Sequence, residues 1–522
     1  MRYQHIQTIL TGLLCGILLV SLTSQAAGST EKQSYLKLAL TRPIASLAPY
    51  DKDCHQEIAG QLFAGLTELA SDTLKAVPSL AARWEVSEDG IVYTFFLRQD
   101  AQWSNQEPLT AYHVEKTVRW YLNGGSDDPE DLFILKNAKK FFDVELDDES
   151  LLGVRAIDDH TVRFTLEYPT PLFPVMTSLL HFRPLPVERI QEAAENWTHP
   201  KHILVSGPYM LKRWRKRNFL ILEENPAYFD AAKVQIPEIH YTMLPSSEVA
   251  LEMYKRNQLD FMPFFQKKQW QEIQNFPDFR SNGKAEYRKQ DKLETWYLGF
   301  NRSLPPFDQA PVREAVATAI DKQLLLKKIL GVIGKTADSF TSPSGIGYVA
   351  SDDMQCRHKF SSDHLVRARK LLQQAYPSGE KIPDIYIRGG SSDADTVIQL
   401  LKEMLKKNLG ISIQEKTEKV WRESDASPHL FVTSKTAALP HAHYFLSEFS
   451  AADNRTAWTD EKHEEFKALL INALVYPSDS AQQKKLYQQA ETILCEELVI
   501  VPLFFRDIAF LAKQHQTNPT KI

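Results

Sequence analysis

The chain is 522 residues long, with 61 Lys plus Arg against 66 Asp plus Glu, a net charge of −5, and four cysteines. That length holds two or three domains with full cores. The two charge signs are interspersed, so the basic stripe that nucleic acid requires is missing, and so few cysteines exclude a disulfide-built scaffold.

The amino terminus carries Arg2, an apolar run from Ile9 to Leu22 and the small-x-small pattern Ser24-Gln25-Ala26. As a helix that run spans about 21 Å, short of a ~30 Å hydrocarbon core, so residues 1–26 read as a cleaved secretory signal peptide. Cys15 follows Leu14 within the run, which argues against lipidation. Cleavage leaves Cys54, Cys356 and Cys495, enough for at most one bridge and one free thiol, with no Cys-x-x-Cys pair.

Downstream, Tyr35 to Leu40 reads as a strand and Ile58 to Leu69 as a helix with Ile58, Leu62, Phe63, Leu66 and Leu69 on one face. Trp84 to Val86 and Tyr93 to Leu97 flank Glu88-Asp89-Gly90 as a hairpin. Leu109 to Leu122 is helical, with Thr110 as its N-cap, and Thr161 to Leu166 alternates as a strand. Tyr209 to Trp214 and Phe219 to Glu223 form a second hairpin around the basic turn Arg215-Lys216-Arg217. Ile239 to Leu244 is a strand, Ser247 to Asn257 a helix, and Leu259-Asp260-Phe261 enters another strand.

A second series begins with a strand at Trp296 to Asn301. Helices follow at Val312 to Ile320, Leu324 to Ile329, Leu365 to Ala375 and Val397 to Leu409, the last stopped by Gly410. Arg313 and Asp321 are placed to pair at a domain corner. Ile385 to Ile387 and Ile411 to Glu415 are short strands, Glu464 to Ala473 and Ala481 to Cys495 the last helices, and Leu498 to Phe505 a closing buried strand. Strands alternating with helices of this length specify an α/β sheet protein.

Particular motifs go further. Val77-Pro78-Ser79-Leu80-Ala81-Ala82-Arg83-Trp84-Glu85, Trp103-Ser104 with Pro108-Leu109-Thr110-Ala111, Ser206-Gly207-Pro208-Tyr209 with Asn225-Pro226, and Pro306-Phe307-Asp308 with Val312-Arg313 occur in order along the chain. Together they resemble the oligopeptide- and dipeptide-binding proteins that serve ABC importers, bacterial solute-binding family 5. The resemblance implies a two-lobed periplasmic binding protein of type II, a Venus-flytrap, with an extra subdomain inserted in the first lobe. The expected boundaries are 27–66, 201–292 and 495–522 for lobe I, 67–200 for the insertion and 293–494 for lobe II. The twenty or so residues after the closing strand are expected to pack differently from the longer segment many members carry there.

The implied function is capture of a short or modified peptide in the interlobe cleft and its delivery to inner-membrane permease subunits with cytoplasmic ATPases. The chain is expected to act as a periplasmic monomer without cofactor. A nickel- or haem-type chelate is the alternative ligand, raised by His441, His443 and His429. An enzyme reading lacks its constellation. No Gly-x-Ser-x-Gly elbow exists, His463-Glu464 lacks a second His four residues after the first, and Gly334-Lys335 lacks the upstream Gly of a phosphate loop.

The resemblance also places the ligand contacts. The family's segment with an Asp for the peptide ammonium matches Ser434 to Leu446, where the Asp position falls on Ala438 and a Trp position on Lys435. No acidic residue occurs between Asp425 and Glu448. Either another acid substitutes, Asp51, Asp53 or Glu57, or the ligand lacks that ammonium. Candidate ligand residues are Asp53 and Cys54 on the first loop, Trp421 as an aromatic wall, Arg422 facing a carboxylate, and Ser434, Thr436, Ala438 and His441.

Overall fold

The computed structural model describes residues 35–41, 43–70, 75–126, 129–263, 273, 280–281, 284–329, 334–349, 360–377, 380–389, 391–415, 427–450 and 455–513. They form two compact units. One is Lys289–Ile508; the other holds the residues up to Arg288 together with those from Ala509 on. The chain passes from one unit to the other inside two strands, Tyr287–Phe300 and Ile500–Ala512. The predicted signal segment lies outside the described residues, and among those residues no helix is long and apolar enough to cross a membrane.

In the Lys289–Ile508 unit the strand order is Ile413–Glu415, Ile385–Gly389, Leu430–Thr436, Tyr287–Phe300, Ile500–Ala512. Ile385–Gly389 runs parallel to its neighbours on both sides, whereas Tyr287–Phe300 and Leu430–Thr436 are antiparallel. The parallel pair Ile385–Gly389 and Ile413–Glu415 is joined by the long helix Ser392–Leu409, the helical crossover such pairs need. Alternate residues of a strand face opposite sides. Leu430 and Val432 accordingly enter one core with Val316, Leu325, Val397 and Leu401. Phe431 and Tyr297 enter the other, with Phe445, Phe466, Tyr487 and Leu494. Helices therefore cover both faces of this sheet.

The other unit carries a sheet ordered Phe261–Pro263, Leu36–Leu40, Glu238–Met243, Phe219–Glu224, Tyr209–Arg215, with the chain's return segment Phe510–Ala512 added antiparallel beside Phe261. Leu36–Leu40 pairs in parallel with both its neighbours, and the last two strands form an antiparallel hairpin that ends the sheet. A separate antiparallel sheet is ordered Ala81–Val86, Val92–Leu97, Thr161–Thr165, Val154–Asp158. Its inward residues Phe95 and Phe164 pack edge-on against each other and against Phe173.

Local readings hold where chemistry is local. Gly90 closes the first hairpin at φ 71°, and Gly410 ends its helix in the left-handed conformation at φ 74°. Three readings are corrected. The expected helix from Ile58 to Leu69 stops at Leu62, because the Ser206 hydroxyl takes the Ala64 amide and Thr67–Leu69 turns into a strand paired with Ala76–Pro78. Both crossing strands are longer than expected, since Arg288 to Lys292 and Arg506-Asp507 break the apolar pattern; buried Asp507 is matched by Lys289 on the adjacent strand. Arg313 does not pair with Asp321. Its guanidinium donates to the carbonyls of Phe307, Asp308 and Glu497, while Asp321 accepts from the Leu324 amide at the start of a helix.

Candidate functional site

Four of the eight predicted ligand residues lie on one strand, turn and helix of the Lys289–Ile508 unit. Strand Leu430–Thr436 is registered on the crossing strand, with Thr436 opposite Glu294, Lys435 opposite Thr295 and Ser434 opposite Trp296. Ser434 is half-buried and Thr436 buried. The strand's last anchor is the Ala437 amide on the Leu293 carbonyl at 3.1 Å. The chain then bends through Ala438, Leu439 and Pro440 into the short helix Ala442–Leu446. Ala438 is half-buried and offers only a methyl group.

A second segment holds this turn. The Ile346 amide donates to Pro440 at 2.7 Å, and the Ala442 amide donates back to Ile346 at 2.8 Å. That segment is itself fixed further back. The Thr295 hydroxyl donates to the Phe340 carbonyl at 2.7 Å, and the Glu491 carboxylate accepts the backbone amides of Phe340 and Thr341. Glu491 is 3% exposed, and burial pushes its carboxyl up to about 7 even though those amides pull the other way.

His441 is the N-cap of the short helix. Its Nδ1 accepts the His443 amide at 3.2 Å, its Nε2 donates to Gln483 Oε1 at 3.3 Å, and its ring meets Tyr487 edge-on. Buried to 1% exposure, it is held neutral, pushed down to about 4 by desolvation. Burial likewise lowers His443 to about 3. With both ring nitrogens of His441 engaged inside the unit, its visible work is to hold the turn. Among the described residues no group of three or more His, Cys, Asp or Glu side chains is placed to hold a metal ion.

Two residues that sequence reasoning did not join are brought together here. Lys435 Nζ lies 2.8 Å from Glu448 Oε2, so the first carboxylate after the turn is already matched by a cation. Both side chains remain partly open to solvent. Their identities were legible as a lysine in a tryptophan position and as the next acid along the chain; their contact was not.

Asp53 and Cys54 sit apart from these residues in sequence and belong to the other unit. Their loop is tied by Asp51, whose Oδ1 accepts the Asp53 amide at 2.9 Å and whose carbonyl accepts the Cys54 amide at 2.9 Å. Asp53 is exposed. Cys54 is a free thiol, 3% exposed, pushed well above the ordinary thiol range first by burial and then by Asp51. Burial lowers the adjacent His55 to about 4. Cys495, by contrast, is disulfide-bonded. Trp421 and Arg422 lie outside the described residues.

Comparison with known proteins bears on these two units. The family model described as bacterial extracellular solute-binding proteins, family 5 Middle, matches residues 75–457. A probable deoxycholate-binding periplasmic protein of Escherichia coli is 27% identical over 473 residues, covering 88% of this chain and 85% of its own. A periplasmic oligopeptide-binding protein of Salmonella typhimurium is 27% identical over 528 aligned residues, 96% and 94% of the two chains. Among solved structures, an oligopeptide-binding protein of an ABC transporter from Borrelia burgdorferi superposes with a TM-score of 0.74 at 25% identity, over 92% of this chain and 95% of that one. The fold is that of the two-lobed, type II binding proteins.

Proposed function

Because the chain belongs to the bacterial extracellular solute-binding proteins of family 5, we propose that it captures a short or modified peptide outside the cytoplasmic membrane and hands it unaltered to the permease of an ABC importer. The units Lys289–Ile508 and the remainder are its two lobes in this reading. It works as an exported monomer, and partner ATPases supply the energy of transport. Relatives named for oligopeptide binding, matched over almost the whole chain, support the peptide class.

One observation carries the finer part of the reading. The turn at Ala438 presents no carboxylate, and the next acid, Glu448, is bound to Lys435 at 2.8 Å. A buried ammonium without a counter-charge is strongly disfavoured. The solute in this reading is one whose amino terminus is blocked, cyclised or absent; an ammonium matched instead by Asp51, Asp53 or Glu57 is the alternative, and it predicts a preference for the free amine. An amphipathic organic anion, the ligand class in the name of the Escherichia coli relative, satisfies the same constraint and is the second reading.

Calorimetry with matched peptides tests this. Acetylated and free-amino forms are expected to bind equally, or the acetylated form more tightly. Ala438→Asp is expected to gain roughly tenfold for the free-amino form, the scale of one hydrogen bond to a charged group. A wild type that favours the free amine tenfold, with no response to Ala438→Asp, overturns the reading.

A further inference from the structure

In a chain of net charge −5, the tip of one hairpin is cationic: the strands Tyr209–Arg215 and Phe219–Glu224 meet at Arg213, Trp214, Arg215, Lys216 and Arg217. All four cations there are exposed, and none is ion-paired among the described residues. Lys212, one residue earlier, shows what pairing looks like in this sheet, since Glu223 and Glu238 both bind it. Those carboxylates lie toward the other end of the hairpin. Beside the tip, the neighbouring strand brings Thr242 opposite Phe219, and the Met243 amide donates to the Asn218 carbonyl, so the residues paired there are uncharged.

Aromatic rings are interleaved with these charges. Lys216 Nζ stands 5.7 Å from the Trp214 ring centroid, and the Arg213 guanidinium 5.2 Å from that of Phe219. The Trp214 indole N–H is enclosed without a hydrogen-bond acceptor. Arg217 occupies the left-handed region at φ 61°, so the tip is a tight turn with its side chains directed outward on a sheet edge. Cations on an edge strand also deter edge-to-edge pairing. That role requires a charge or two, not four around an indole whose donor is unused.

We propose that this hairpin tip is a docking surface for an anionic phospholipid membrane. Two features match such a surface and do not require a shaped partner. Unpaired lysines and arginines are attracted to anionic headgroups, and the half-buried ring of Trp214 sits among these cations, tryptophan being the residue enriched at the headgroup layer. A protein partner would instead need complementary shape as well as charge.

The test is co-sedimentation of the purified full chain with vesicles of phosphatidylcholine alone or mixed with phosphatidylglycerol. Binding is expected only to the mixed vesicles, and it should fall steeply with added salt. The variant R213Q/R215Q/K216Q/R217N is expected to lose it, at roughly fivefold per cation removed; W214A, with the charges kept, should weaken it several-fold. The circular dichroism melt of each variant shows whether the fold is kept, and the salt dependence of the wild type stands independently of any variant. Equal binding to both vesicle types, or none by the wild type at low salt, overturns the proposal. So does a quadruple variant that self-associates but binds the mixed vesicles as before, which would leave the cations as guardians of the sheet edge alone.

Discussion

Replacing Glu491 by glutamine isolates the buried carboxylate that holds the segment behind the Ala438 turn. Burial moves this carboxyl from its ordinary 4.5 to about 7. At ~1.4 kcal/mol per unit that shift corresponds to about 3 kcal/mol. Between those two values the folded chain keeps a proton that the unfolded chain has released. Its stabilising contribution is therefore complete below pH 4.5 and is lost as pH rises through about 7. Glutamine is neutral throughout and presents the same carbonyl to the Phe340 and Thr341 amides.

The wild-type profile alone does not isolate this effect. His55 and His441, lowered to about 4, and His443, lowered to about 3, act in the opposite sense over overlapping pH. The difference between E491Q and wild type cancels them. Urea unfolding followed by tryptophan fluorescence at a series of pH values measures it. Relative to wild type, E491Q should gain up to about 3 kcal/mol as pH rises from about 4.5 to about 7, then no more. A difference that stays constant across that window refutes the reasoning.

His441→Asn keeps a side-chain acceptor for the capped amide but removes the group that folds only when neutral. Because the histidine is lowered from 6.5 to about 4, the wild type loses stability as pH falls through that interval, so the variant's deficit at neutral pH should close on acidification; a pH-independent deficit contradicts this. Cys54, buried with its thiolate disfavoured, should resist alkylation at pH 8 in the native protein and react only in denaturant, as mapped by peptide mass spectrometry. Native labelling at the rate of an exposed thiol would show that the loop opens.

How much of this was legible depends on the reach of each interaction. The hairpin closed by Gly90 and the helix ended by Gly410 are set by neighbours in sequence, and the pattern reveals them; the strand Leu430–Thr436, whose Leu430, Phe431 and Val432 are all buried on its two faces, carries no alternation to read. The crossing strands were only half visible. Their charged stretches are compensated from elsewhere in the chain, as Lys289 compensates Asp507. The helix expected through Leu69 rests on apolar spacing alone: Ile58 and Leu62 are helical, Phe63 and Leu66 are buried in the segment that follows, and Leu69 belongs to a strand.

The site divides in the same way. That no acid occurs between Asp425 and Glu448 is a property of the sequence itself, and the resemblance is what gives position 438 its meaning. That Glu448 is matched by Lys435, that His441 caps a helix, and that Glu491 reaches amides 151 and 150 residues away are contacts made by the fold, and no local pattern encodes them.

Native mass spectrometry of the protein, purified from its own host without denaturation, reaches the central claim most directly. A bound organic solute of discrete mass should appear, leave intact when the chain is unfolded, and resist reductive methylation at an α-amine. A protein that carries nothing and binds no peptide offered to it, or one that releases a peptide with a free amino terminus, contradicts the account.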